Sequence, residues 1–172
     1  LIVFKLRQDP GLPALAIASA PRPIGTPVVM IGNGRNRGVA TTWNGIDGWL
    51  WGAGSAMRWG TNLVGSVPVN ETVGSNVTRA FWTEFTKSPP PQVTTSEAQG
   101  AVGDSGGGLF VENGGSWELG GVLFLIATFN GQPASSAFYG NLTYAVDLSF
   151  YRNAILAVTT RPACNDGIED DG

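Results

Sequence analysis

The sequence predicts an all-β domain, either a barrel or a sandwich, that ends in one helix. Its apolar residues come in short runs separated by glycine and proline, of which the chain has 25 and 11, and this pattern is typical of small β domains. Asn113-Gly114-Gly115, between two apolar runs, is a hairpin signal. With 172 residues, 42% of them hydrophobic, the chain is large enough for one buried core.

The strands are expected to follow one another along most of the chain. Residues 1–6 form a continuous apolar run, typical of a buried strand, and the proline-rich residues 8–27 are expected to form a linker. Residues 87–92, which include three consecutive prolines, predict an extended loop. About eight strands are expected, at residues 1–6, 27–32, 38–43, 48–52, 77–85, 109–112, 117–128 and 137–146.

The last regular element is expected to be a helix at residues 148–158. Leu148, Tyr151, Ile155 and Val158 recur at helical spacing, which predicts that they share one face. The chain then ends in an acidic segment that contains its single cysteine, Cys164.

Composition excludes several classes of function. The formal net charge is −3 and there is no basic run, so the sequence lacks the electrostatic footprint of a nucleic-acid-binding protein. No apolar stretch reaches the roughly 18–20 residues of a membrane-spanning helix. With one cysteine, the body of the domain has no disulfide, and at this size it needs none. The chain contains no histidine, so a serine nucleophile would lack the most common general base.

The stretch that points to chemistry is residues 100–108, which reads Gly-Ala-Val-Gly-Asp-Ser-Gly-Gly-Gly. Glycine allows sharp turns and close approach of the backbone, and the apolar runs on both sides predict that this turn is held between strands. Ser105 on such a turn could attack a carbonyl carbon. The backbone N–H groups of Gly103 and Ser105 could then bind the oxyanion that forms.

The pentapeptide Gly103-Asp104-Ser105-Gly106-Gly107 resembles the nucleophile loop of trypsin-like (chymotrypsin-fold) serine peptidases. The resemblance implies an antiparallel Greek-key β-barrel, the second of the two barrels of that fold, and endopeptidase activity through an acyl-enzyme on Ser105. It also implies an oxyanion hole at Gly103 and Ser105. Asp104 would be the structural acid of the loop, which in many members receives the amino terminus freed by zymogen cleavage.

The same resemblance extends over nearly the whole chain. It implies that residues 1–27 are the last strand of the first barrel and the connection between barrels, and that residues 28–160 are the second barrel with its C-terminal helix. Residues 161–172 would be a tail. The catalytic Asp would then lie immediately before residue 1 and the His further upstream, so the isolated chain is expected to be inactive.

Counting back from the serine, the resemblance places Gln99 at the floor of the primary specificity pocket, with Phe124 and Leu125 on its wall. A neutral amide at the floor argues against strong selection of a Lys or Arg side chain, which would require a carboxylate. The cysteines that usually border this pocket are missing, and Ala101 occupies the place of one of them.

The sequence also admits interpretations other than a peptidase. A binding or scaffold module that keeps the fold without catalysis is the main alternative, because no general base is present. A Ser–Lys dyad would need Lys5 or Lys87, the only lysines, and is disfavoured. A GDS-type lipase would need a downstream histidine and alternating helices, which the sequence lacks. The tryptophans are expected to pack in the core or at the barrel rim, and Arg58 to stack on Trp59 or form an ion pair.

The tail carries the remaining expectations. Residues 164–172 resemble the start of the Cys/Asp-Gly-rich segments that follow domains of secreted or surface bacterial proteins, which implies an extracellular location. Asp166 and Asp170 offer carboxylate oxygens of the kind that Ca²⁺ prefers, although one such unit is too short for a complete site. No cofactor is expected. The partner is expected to be a protein or peptide substrate, and the chain a monomer.

Overall fold

The computed structural model describes residues 2–4, 6–8, 10–87 and 94–159. These residues form mostly antiparallel β-sheet with one helix at the C-terminal end, so the predicted all-β class is confirmed. The strands are β1 (Ala16–Ile17), β2 (Pro27–Gly32), β3 (Arg35–Trp43), β4 (Ile46–Ser55), β5 (Arg58–Leu63), β6 (Val69–Val73), β7 (Asn76–Glu84), β8 (Gly108–Asn113), β9 (Ser116–Ala127), β10 (Ser136–Phe138) and β11 (Leu142–Asp147), and the helix is α1 (Leu148–Thr159).

The larger sheet has eight strands. Seven of them lie in the order β5-β2-β8-β9-β11-β7-β6, and β1 pairs with β9 in parallel. The predicted hairpin between β8 and β9 is confirmed, because Asn113 pairs with Ser116 across it. Its two central glycines, Gly114 and Gly115, have φ of +59° and +83°, which is the backbone that a two-residue type I′ turn requires.

One face of this sheet packs into a continuous core. In β2, Val28 and Met30 are 1% and 5% exposed, whereas Ile31 is 37% exposed, as the two-residue period of a strand dictates. Neighbouring strands supply residues of the same kind. The core consists of Ala18, Val28, Met30, Val64, Phe81, Leu109, Val111, Leu123 and Ala145.

The sheet curls so that β5 approaches β7. Val64, one residue beyond β5, forms an isolated antiparallel bridge with Thr83 of β7. The Gly65 amide donates a hydrogen bond of 2.8 Å to the Trp82 carbonyl. This contact is local, and no strand ladder closes the sheet within the described residues.

A second sheet of three strands, in the order β10-β4-β3, stands beside the first. Asn44 and Gly45 turn the chain between β3 and β4, with φ of +50° and +78°. Aromatic rings join this sheet to its surroundings. Phe85 stacks on Tyr139 with ring centroids 4.5 Å apart, and Trp49 meets the Tyr139 ring edge-on at 5.5 Å.

The strand predicted at residues 1–6 is wrong for the described part of that stretch, residues 2–4 and 6, which has no regular secondary structure. Ile2 and Phe4 are 86% and 77% exposed. The physical reason is that a strand needs a partner for its backbone hydrogen bonds, and no described strand pairs with these residues. An apolar run alone does not supply one.

Further differences concern short or polar strands. The structure has eleven strands in its described residues rather than about eight. β5 and β6 were missed because their sequences, Arg-Trp-Gly-Thr-Asn-Leu and Val-Asn-Glu-Thr-Val, contain few apolar residues. The predicted strand at residues 137–146 is divided into β10 and β11 at Gly140, whose φ of +95° interrupts an extended chain.

The helix predicted at residues 148–158 is confirmed over its whole length. Asp147 caps α1, because its Oδ1 accepts hydrogen bonds from the Ser149 amide at 3.1 Å and the Ser149 hydroxyl at 2.6 Å. Leu148 is 2% exposed, but Val158, which was expected on the packed face, is 60% exposed. Among the described residues, no helix is long and apolar enough to cross a bilayer.

Candidate functional site

The serine loop, residues 101–107, consists of two turns in succession. The Asp104 amide donates to the Ala101 carbonyl at 3.0 Å, and the Gly107 amide donates to the Asp104 carbonyl at 2.9 Å. The third residue of each turn is a glycine with positive φ, +99° at Gly103 and +87° at Gly106. Type II turns require this conformation at that position. The glycines of the pentapeptide are therefore explained by the backbone they adopt.

Ser105 lies at the second position of the second turn and is exposed. Its hydroxyl and its amide form no hydrogen bond with another described residue, and the same holds for the Gly103 amide. The amides of Asp104, Gly106 and Gly107, in contrast, do donate hydrogen bonds. The loop thus has a serine hydroxyl and two backbone N–H groups without partners among the described residues, which are the kinds of group that an oxyanion site uses.

The carboxylate of Asp104 fastens the loop to the turn between β2 and β3. Its Oδ1 accepts the Gly34 amide at 2.6 Å, and its Oδ2 accepts the Ala101 amide at 2.7 Å. A Cβ at Gly34 would lie 2.6 Å from Oδ1, and a Cβ at Gly32 would overlap the same oxygen. The two glycines of this turn therefore leave the space that the carboxylate fills.

The long strand β9 holds the other side of the loop. The Gly106 amide donates to the Leu123 carbonyl at 2.8 Å, and the Leu123 amide donates to the Gly107 carbonyl at 2.8 Å. Leu123 is itself part of the core. Ser105 is therefore positioned by a strand at the centre of the sheet, although the serine itself is at the surface.

Of the three residues predicted for a specificity pocket, one lines a cavity. Gln99 lines a cavity of about 420 Å³ beside the serine loop. Phe124 and Leu125 are not among the described residues that line this cavity. Phe124 instead packs edge-on against Tyr144, with ring centroids 6.4 Å apart. The lining of this cavity therefore includes the residue predicted for the pocket floor but not the two predicted for its wall.

Gln99 is incompletely satisfied. Its Nε2 donates to the Gly100 carbonyl at 3.3 Å, whereas its Oε1 is buried and has no partner among the described residues. Next to it, the Gly100 amide donates to the Thr143 hydroxyl at 2.8 Å. This bond connects the residue that precedes the serine loop to β11.

The cavity contains residues that the sequence did not single out as a site. Asp104 contributes to the lining, but Ser105 does not. Arg35 and Arg37 line it from β3, and Arg58 from β5. Arg58 forms none of the ion pairs found among the described residues, and Trp59 is 65% exposed rather than packed. The Arg-x-Arg spacing at the start of β3 is the signal from which this basic wall could have been found.

Lys87, one of the two lysines considered for a dyad with Ser105, forms an ion pair with Asp47. The hydrogen bond to the Asp47 carboxylate raises the pKa of Lys87, and the same bond lowers the pKa of Asp47. A raised pKa keeps the ammonium protonated near neutral pH, so Lys87 is a poor general base. Lys5 lies outside the described residues.

The residues suggested for calcium, Asp166 and Asp170, also lie outside the described residues, as does Cys164. Within the part of the chain that the structure describes, no three His, Cys, Asp or Glu side chains form a group that could hold a metal ion.

Comparison with known proteins adds no family to this geometry. The chain matches no protein-family model and no curated protein. The serine loop itself remains the feature that indicates a function, because it combines an exposed hydroxyl, two unoccupied amides and a carboxylate that fixes the turn.

Proposed function

We propose that this chain carries the nucleophile of a secreted serine endopeptidase of the trypsin-like class, with Ser105 as the attacking residue. The observation that carries the proposal is the serine loop, in which Ser105 is exposed and the amides of Gly103 and Ser105 donate to no other described residue. Central amides of exposed turns are commonly free, so the support comes from their combination with a free serine hydroxyl on a loop that Asp104 and β9 hold in place.

The reaction would proceed through an acyl-enzyme. The Ser105 oxygen forms a bond to the carbonyl carbon of the scissile peptide, and a general base takes the hydroxyl proton. The negative charge moves to the carbonyl oxygen, where the Gly103 and Ser105 amides donate to it. The base returns the proton to the leaving amine as the C–N bond breaks, and a water activated by the same base then hydrolyses the acyl-enzyme and restores the Ser105 hydroxyl. Since the chain has no histidine, the base is supplied from outside these 172 residues.

The finer architecture belongs to the same proposal. We take the strands β5, β2, β8, β9, β11 and β7 to be the six strands of a Greek-key barrel. The bridge between Val64 and Thr83 supports this assignment, because it lies where β5 would meet β7. The hydrogen bond between Gly65 and Trp82 supports it further.

The test uses the complete reading frame that encodes this chain. We expect the purified product to hydrolyse casein and to form a covalent adduct with a fluorophosphonate at Ser105. Ser105→Ala should remove the adduct and lower the rate by at least about a thousandfold. The matched control is Ser75→Ala, which changes another exposed serine in a turn between strands. This variant should retain both the fluorophosphonate adduct and the casein hydrolysis.

A non-catalytic binding module remains the second candidate, favoured by the missing histidine and by the ion-paired Lys87. The two candidates give opposite results in the same experiment. A folded full-length product that neither reacts with the fluorophosphonate nor cleaves casein would reject the peptidase and favour the module.

A further inference from the structure

The cavity beside the serine loop has a basic wall whose arginines form no ion pairs with described residues. It is lined by three arginines, Arg35, Arg37 and Arg58. The guanidinium carbon of Arg37 lies 5.3 Å from the centroid of the Trp49 ring, which is a cation–π contact. None of the three forms an ion pair with a carboxylate in the described part of the chain, whose two ion pairs lie elsewhere.

Two acidic residues also line the cavity, but other groups already occupy their oxygens. Glu97 accepts the amides of Thr86 and Thr94, both at 3.1 Å, and the Thr94 hydroxyl at 2.8 Å. Asp104 accepts two backbone amides of its own. Three arginines against two acids leave the lining with one net positive charge. Because the acids are held by uncharged donors, the guanidiniums are left available for an anion from outside.

The remaining lining fits a polypeptide better than a small inorganic anion. The indole rings of Trp49, Trp51 and Trp59 contribute apolar surface, and a volume of about 420 Å³ is within the range of ligand pockets. The unpartnered Oε1 of Gln99 is an acceptor that lacks a donor.

We propose that this cavity binds the side-chain carboxylate of a glutamate or aspartate in a peptide, with Arg35 and Arg58 as its charged donors. Charged hydrogen bonds of this kind are stronger than neutral ones, and guanidinium geometry suits a carboxylate. This site rests on the proposed function in one respect, namely that the bound peptide is a substrate. The binding itself does not require Ser105 to react.

The test measures binding to the 172-residue chain in the Ser105→Ala form, so that no cleavage can occur. The probes are two capped peptides, acetyl-Ala-Ala-Glu-Ala-amide and its Gln counterpart, followed by tryptophan fluorescence and calorimetry at low salt. We expect the Glu peptide to bind about tenfold more tightly than the Gln peptide. Added salt should reduce this difference.

Variants of the arginines then show which of them bind the peptide carboxylate. Arg35→Gln and Arg58→Gln should each remove most of the preference for Glu, whereas Arg79→Gln, on β7 and not a lining residue, should leave it unchanged. Circular dichroism confirms that each variant is folded. Equal affinity for the two peptides, or a preference that survives both cavity variants, would overturn the inference.

Failure of this inference and failure of the proposed function are distinguishable. If the Glu peptide is preferred but the full-length product cleaves nothing, the site stands as a binding site and the peptidase is rejected. If the full-length product cleaves casein but the two peptides bind equally, the peptidase stands and the acidic preference is rejected.

Discussion

The Oδ1 atom of Asp104 accepts a hydrogen bond of 2.6 Å from the amide of Gly34, a residue 70 positions earlier in the chain. This bond links the loop that carries Ser105 to the turn between β2 and β3. It requires glycine at residue 34, because a Cβ there would lie 2.6 Å from Oδ1 and 2.7 Å from Cγ of the same carboxylate.

Gly34→Ala is therefore expected to destabilise the fold by about 1–3 kcal/mol, as overpacking of a close contact does. Urea denaturation measures the change in the free energy of unfolding. The control is the same substitution in an Asp104→Ala background, where the clashing carboxylate is absent and the added cost should be much smaller. If the two substitutions are simply additive, the contact is not the cause.

The isolated 172-residue chain is expected to show no amidase activity, because it contains no histidine and a serine hydroxyl without a base is a weak nucleophile. Release of a chromophore from a peptide anilide provides the measurement. Activity that Ser105→Ala abolishes would contradict this expectation and would require a different base within the chain.

Phe85→Ala should destabilise the protein by about 3 kcal/mol, since it removes a buried ring that contacts other aromatic residues. Phe85 is 7% exposed, and its ring centroid lies 4.5 Å from that of Tyr139 and 5.9 Å from that of Trp49. Thermal unfolding measures the loss. Phe150→Ala, at a side chain that is 65% exposed, is the matched control and should change stability little.

The ion pair between Asp47 and Lys87 should contribute to stability only in a middle range of pH. The pKa of Asp47 is lowered from 3.8, so its contribution is present above that value and is lost as the pH falls through the folded-state pKa. The pKa of Lys87 is raised from 10.5, so its contribution is present below that value and is lost as the pH rises through the folded-state pKa.

Comparison of the melting temperature of Lys87→Gln with that of the parent across pH checks this window. Because both groups are exposed, the difference should be small at neutral pH, should vanish at acid pH, and should shrink in high salt. If the difference in melting temperature persisted at acid pH, the effect of Lys87 on stability would not come from its ion pair with Asp47.

Local patterns were sufficient for elements whose cause is local. The helical spacing from Leu148 onward predicted α1, and Asn113-Gly114-Gly115 predicted the hairpin between β8 and β9. The glycines around Ser105 predicted a tight turn, which the structure contains. In each case the conformation depends on a few consecutive residues, so the sequence alone carries the information.

Contacts between distant residues could not be found in this way. Nothing near Asp104 in the sequence indicates that Gly34 faces its carboxylate, and nothing near Arg35 indicates that Gln99 lines the same cavity. The apolar run at residues 1–6 shows the opposite error. Its composition predicted a strand, but pairing is a tertiary property, and the described residues there have no partner strand.

The attachment of the serine loop to β9 has a consequence for its motions. Amide hydrogen exchange depends on whether each N–H is bonded, so neighbouring residues of one exposed loop should exchange at very different rates. Gly106, whose amide donates to Leu123, should exchange slowly, like the sheet. Gly103 and Ser105 should exchange rapidly and then slow down when an oxyanion occupies them.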